Sequence, residues 1–181
     1  MNEQIWSTID GVKTRLGVLA LALAACAAVP AVAGTATFGV SATIAKECTV
    51  SAANLDFGAY TPGAGADAAS SQISVNCTSG MPFTVALGAG TTSGATISNR
   101  EMVGSTKATD LLNYQLYTDS AHTTVWGDGT GGTSTSAQTG QGMAAAQAQA
   151  MTVYGQIPDT TANQDAATDT YSDTITVSVS Y

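Results

Sequence analysis

Apolar and polar residues alternate with a period of two through most of the chain after residue 34, and no helical period persists for long. In "TATFGVSATIAKE" the side chains of Phe38, Val40, Ala42 and Ile44 share one face, with Thr37, Ser41 and Thr43 on the other. The same alternation aligns Cys48 with Val50, and Ile73 and Val75 with Cys77. It returns at Phe83, Val85 and Leu87, at Leu112, Tyr114 and Leu116, and at Met151, Val153 and Ile157. The last run, "YSDTITVSVSY", sets Ile175, Val177, Val179 and Tyr181 against Thr174, Thr176, Ser178 and Ser180. Turn chemistry separates these runs. "YTPGAG" places Pro62 and Gly63 at the centre of a type II turn, and "GDGTGG" and "IPDTTANQD" are comparable breaks. Short alternating strands with such turns between them predict a single-domain, all-β antiparallel sandwich. Residues 127–149, rich in Gly, Ser, Thr, Gln and then Ala, are expected as a long surface loop, with a brief helix open to "MAAAQAQA".

The first 33 residues follow a different rule. Lys13 to Arg15 form a small basic region, Leu16 to Ala28 are almost purely apolar, and Ala31-Val32-Ala33 has the small residues that a signal peptidase reads. Residues 1–33 are therefore expected to be a cleaved export signal, with no membrane insertion of the mature chain. "LAAC" at 23–26 also resembles the box before a lipid-modified cysteine, so lipidation of Cys26 stands as the alternative to its removal. Cleavage after Ala33 would leave 148 of the 181 residues, one ordinary domain.

Export changes the reading of the cysteines. Cys26 falls in the signal, which leaves Cys48 and Cys77 as an even pair bound for an oxidising compartment, and a disulfide between them is expected. Both sit on the apolar face of their strands. A loop of 29 residues gives about 3.6 kcal/mol of stabilisation in the loop-entropy account.

Charge narrows the function classes. Only 10% of residues are charged, against roughly a quarter in an average protein, and the net charge is −8. After residue 33 the cations are Lys46, Arg100 and Lys107. A nucleic-acid binder needs a basic footprint, and anionic lipid surfaces ask for the same, so neither partner is expected.

The two ends of the mature stretch fit an ordinary sandwich poorly. Residues 34–45 form a whole alternating strand ahead of the first cysteine, and the last strand runs to Tyr181 with no later strand to cover it. The first strand can pair within its own sheet or fill a gap in another copy by strand addition, and pattern alone leaves both open.

Four segments carry a resemblance: "LDFGAYTPG" at 55–63, "NYQLYTDSAHTTVWGDGTGGT" at 113–133, "VYGQIP" at 153–158 and "YSDTITVSVSY" at 171–181. In order and spacing they resemble the spore coat protein U domain family, which includes subunits of archaic, Csu-type chaperone–usher pili. The resemblance implies an incomplete immunoglobulin-like sandwich over residues 46–181, lacking its last strand and completed by donor-strand complementation from another subunit. It implies export through the periplasm, a periplasmic chaperone, an outer-membrane usher, and identical or related pilus subunits as partners at the cell surface. Phe38, Val40, Ala42 and Ile44 match the donor strand, and Ile175, Val177 and Val179 the acceptor groove. A shaft pilin supporting attachment and biofilm formation is the first expectation. A secreted spore or cell-surface coat protein of the same fold is the second, and a monomeric glycan-binding module the third.

No catalytic set, cofactor motif or metal cluster emerges beside this. His122 is the only histidine, which excludes multi-histidine metal sites and weakens any triad. Asp119 and Asp128 lack the spacing of a calcium loop, and Asp56 reads as a turn organiser. Trp126 and Tyr117 read as core or loop anchors in preference to a sugar platform, and "GDGTGG" lacks the lysine of a phosphate loop.

Overall fold

The structure, a computed structural model, describes residues 32–181. The signal expected over residues 1–33 lies outside them except for its last two positions, as does Cys26. Residues 42–181 form one compact unit, and residues up to Ser41 belong to a separate one. No helix among the described residues is long and apolar enough to cross a membrane.

Nine strands make the compact unit: β1 (Cys48–Ala52), β2 (Asp67–Cys77), β3 (Pro82–Leu87), β4 (Arg100–Gly104), β5 (Leu111–Tyr117), β6 (Ser136–Thr139), β7 (Gln149–Ile157), β8 (Tyr171–Ser172) and β9 (Val177–Ser180). Helix is confined to a 3-10 turn at Ala145–Gln147 and α1 at Thr161–Gln164. One sheet runs β1-β2-β7-β5-β4-β8 and the other β6-β3-β9, with every ladder antiparallel. The predicted alternation is the burial pattern: β2 buries Ile73, Val75 and Cys77, β3 buries Phe83, Val85 and Leu87, and β5 adds Leu112, Tyr114 and Leu116. These faces meet in one core, an immunoglobulin-like sandwich.

Cys48 and Cys77 face each other in the β1–β2 register and are joined by a disulfide. The Thr61–Ala64 turn closes through Ala64 N–H to Thr61 O at 3.2 Å, with Gly63 at φ 79°, the left-handed geometry that a type II turn requires. Other expectations need correction. The 127–149 segment is not a plain loop: it supplies β6 and the 3-10 turn, and Trp126 just before it is buried and donates to Val85 O at 3.0 Å. "YSDTITVSVSY" is not one strand either. Its start pairs with β4 in one sheet, its end pairs with β3 in the other, and Asp173–Thr176 crosses between them.

Two of the quoted sequence segments hold each other in place. Leu55 and Phe57 lie so close to β7 that a Cβ at Gly155 would meet their side-chain tips at 2.9 and 2.8 Å and would have to push them aside. Asp159 accepts from Tyr60 Oη at 2.7 Å and from the Gly63 and Gly65 amides at 3.0 Å, closing the 58–65 turn onto the end of β7. Burial and the neighbouring Asp159 carboxylate push the Tyr60 phenol up to about 12.

Candidate functional site: an open groove beside the last strand

β3 is paired on both sides, by β6 and β9, but β9 is paired on one side only. The hydrogen-bond phase fixes what its free edge presents. Leu87 donates its amide to Gly127 O, and Val85 O accepts from Trp126 Nε1, so both residues turn their backbone away from β9. Opposed residues of an antiparallel pair either exchange both bonds or neither. Val177 and Val179, opposite Leu87 and Val85, therefore turn N–H and C=O toward the open edge. Gly88 N–H donating to Thr176 O at 3.0 Å fits the same alternation. Among the described residues no strand takes up those outward groups.

The side chains beside that edge are short of cover as well. Val50 on β1 faces Val75 in register, yet Val50 is 45% exposed while Val75 is 0%. β1 approaches β9 across this side, and a cavity of about 540 Å³ opens between the two sheet edges. Leu55 and Phe57 stand on one wall, Ile175 and Val177 on the other, with Tyr114 and Val153 in the floor. Two of the three residues expected in an acceptor groove, Ile175 and Val177, thus line one cavity, and Val179 continues the same face of β9.

A polar cluster holds the crossover where the groove begins. The Asp173 carboxylate accepts from Tyr114 Oη, Thr91 N and Thr174 N, each at 2.7 Å. Burial by itself would raise that carboxyl, but those donors outweigh it and keep it below the usual carboxylate range. Desolvation, then the Asp173 bond, pushes the Tyr114 phenol far up. A side chain at Gly90 has no room, since its Cβ would lie 1.9 Å from Asp173 Oδ2. Behind this cluster Arg100 is 0% exposed and faces Tyr114 in register. Its guanidinium donates to Gly88 O at 2.9 Å, to Trp126 O at 2.8 Å and to Gln115 Oε1. It ties β4 and β5 to the end of β3 on which β9 rests. Composition gave no sign of this, because an arginine in "NREMV" reads as a solvated cation.

The expected donor residues are described by themselves. Residues 34–45 join no ladder among the described residues, and Phe38, Val40 and Ile44 are 87%, 85% and 84% exposed. Thr78 holds the base of this segment: its hydroxyl accepts from Glu47 N at 3.1 Å and donates to Ala45 O at 3.2 Å.

The remaining candidates are structural. Asp56 accepts from Gly58 N at 2.8 Å. Asp119 accepts from the Ala121, Thr123 and Thr124 amides, and Asp128 from Thr130. Burial would raise Asp119, but the Thr123 and Thr124 bonds prevail and lower it; the Thr130 hydroxyl and amide lower Asp128. His122 sits in this turn at φ 54°, edge-on to Tyr117 at 5.1 Å.

An all-β sandwich whose β9 edge lies beside a cavity, with a family pattern across both sheets, defines the class. Residues 34–178 match the Spore Coat Protein U domain, and the chain belongs to that family. Among solved structures, a chain of the CsuC–CsuE chaperone–tip adhesion subunit pre-assembly complex, from the archaic chaperone–usher Csu pili of Acinetobacter baumannii, is similar in fold. The TM-score is 0.54 at 22% identity, over 77% of this chain and 41% of that one. This chain therefore spans less than half the length of the one it matches. No curated protein matches it.

Proposed function

We propose that this protein is a structural subunit of a bacterial surface pilus assembled by the chaperone–usher route, in which residues 34–45 of one copy fill the groove beside β9 of the next. The carrying observation is that one chain holds both halves of a strand addition: an apolar alternating segment that joins no ladder among the described residues, and a strand edge with outward N–H and C=O groups beside an open cavity of mixed apolar and polar lining. The family and the pilus complex of similar fold support the same reading. Phe38, Val40, Ala42 and Ile44 are the donor face, and Ile175, Val177 and Val179 the acceptor edge. Burying the three large donor side chains is worth at most about 5–9 kcal/mol before ordering costs. An unfilled groove is an aggregation hazard, which gives a periplasmic chaperone its task before an outer-membrane usher exchanges it for the next subunit. Cleavage after Ala33 accompanies export, and we assign the subunit to the shaft, with attachment and biofilm formation as consequences.

Deleting Gly34–Ile44 tests this. In non-boiled electrophoresis the polymer ladder is expected to vanish while chaperone-bound monomer persists. A shortened chain that still polymerises, or that folds alone as a stable monomer without chaperone, would refute strand donation.

A further inference from the structure

A tethered strand has first access to its own groove. Over a short connection a segment meets its own domain at roughly millimolar effective concentration, yet residues 34–45 join no ladder among the described residues. We infer that residues 45–47, clamped by Thr78, bar the donor strand from the groove of its own copy and so reserve it for a second copy. This rests on the strand-donation reading above and adds what directs the strand between molecules.

The segment is rooted at one end of the groove. Ile44–Glu47 share a cavity of about 700 Å³ with Thr78, Met81 and Pro82, where β3 begins, and Thr84 of β3 pairs with Ser180. The root therefore lies at the Tyr181 end of β9, and the chain continues from it into β1. To reach its own groove the segment must reverse there and run back along β1. That course is parallel to β9, the less stable kind of ladder.

The sequence lacks the turn that this reversal needs. A two-residue turn at Ala45 and Lys46 would set Ile44 opposite Glu47, Ala42 opposite Thr49 and Val40 opposite Ser51. Val50 faces the buried Val75 in register, so Thr49 and Ser51 take the outward side of β1, and the apolar donor face would turn to solvent. A three-residue loop over 45–47 restores the face by setting Ala42 opposite Val50. Its last residue must be left-handed, a conformation that suits glycine, and Glu47 stands there. Among the described residues, His122 is the only non-glycine at positive φ.

Thr78 removes the remaining freedom. Its hydroxyl accepts from Glu47 N at 3.1 Å and donates to Ala45 O at 3.2 Å, and its amide donates to Glu47 O at 2.9 Å. These bonds hold the first and last residues of the one loop that has the right face. Thr78 is itself held. The Cys48–Cys77 disulfide precedes it, its carbonyl accepts from Met81 N at 3.2 Å, and a Cβ at Gly140 would lie 2.3 Å from that oxygen. The groove of a second copy asks for no reversal, so the clamp leaves that route open.

Two variants of the full-length chain lift the bar in different ways. Glu47→Gly with Thr78→Val supplies the left-handed residue and releases the clamp. About six Gly and Ser residues inserted between Lys46 and Glu47 supply slack and leave Thr78 in place. Each chain is unfolded, refolded at low concentration without chaperone and separated by size. Both variants are expected to give at least about tenfold more monomer than the unmodified chain, with amide protection at residues 38–44 and a matching loss of polymer. Absence of that monomer from both variants overturns the inference, and so does an unmodified chain that refolds as a monomer with residues 38–44 protected. Adding Val40→Asp is expected to abolish the new monomer; a monomer that survives it does not use the groove, which also overturns the inference. Polymer or stable monomer formed after deletion of Gly34–Ile44 would instead overturn strand donation itself.

Discussion

Two stretches of this chain carry nearly the same message in their side chains. "TATFGVSATI" and "TITVSVSY" both alternate apolar residues with Thr, Ser or Gly. The second is laid along β3 with Val177 and Val179 half covered, whereas the first exposes Phe38, Val40 and Ile44 and joins no ladder. Alternation makes a segment able to be a strand, but a strand is stable only where another edge takes its hydrogen bonds and another face takes its side chains. The difference between the two regions is one of partners.

The sharpest way to break the comparison is to put the same charge in both. Val40→Asp is expected to abolish polymerisation, by two orders of magnitude or about 3 kcal/mol or more, because an unpaired carboxylate would enter an apolar groove. It should leave the thermal midpoint of the chaperone-bound subunit unchanged, since Val40 is exposed. Val179→Asp should lower that midpoint outright, and Ser41→Asp should alter neither. Polymer yield and melting measured side by side decide it, and equal behaviour of Val40→Asp and Ser41→Asp would remove the face assignment.

The disulfide acts at the root of the donor segment, pinning β1 to β2 just after residue 47. Cys48→Ser is expected to cost about 3.6 kcal/mol in denaturant unfolding. An intact mass showing two free thiols at Cys48 and Cys77 in the native protein would contradict the bond. Next in size is the crossover. Asp173→Asn exchanges the carboxylate that holds Thr91, Tyr114 and Thr174 for a weaker acceptor, and about 1–3 kcal/mol should be lost. Hydrogen exchange should report the loss first at residues 173–177.

The smallest effect is that of pH. Asp119, Asp128, Asp159, Asp169 and Asp173 are all held below the ordinary carboxylate value, with Asp169 at about 2 through the Ser105 hydroxyl and Thr106 amide. A depressed carboxyl stabilises the fold above its unfolded value and loses that contribution as pH falls through its folded one. Stability should therefore be flat from about pH 5 to about pH 10 and decline from about pH 4 toward pH 2. At the other end, Tyr60 at about 12 contributes below pH 10 and is lost as pH rises from 10 to 12. A melting midpoint that rises between pH 4 and pH 2 would contradict the carboxylate assignments.

The sequence by itself determined the class of fold, the faces of β2, β3, β5 and β7, the pairing of the two cysteines and the turn at Pro62–Gly63. Each of these follows from local chemistry: a period of two, a pair of cysteines after residue 33, a glycine where φ must be positive. Tertiary structure alone decided the rest. β4 begins with Arg100, whose charge hides a position that four carbonyl or amide oxygens make habitable in the core. β6 is four residues with no apolar alternation, held as an edge by β3 and not by its own pattern. The last run keeps one continuous alternation, yet changes sheets at Asp173 because a carboxylate, a tyrosine and a glycine without room for a side chain fix the crossover. Alternation records which side of a strand is apolar, and it carries no information about which sheet, or which molecule, supplies the neighbouring edge.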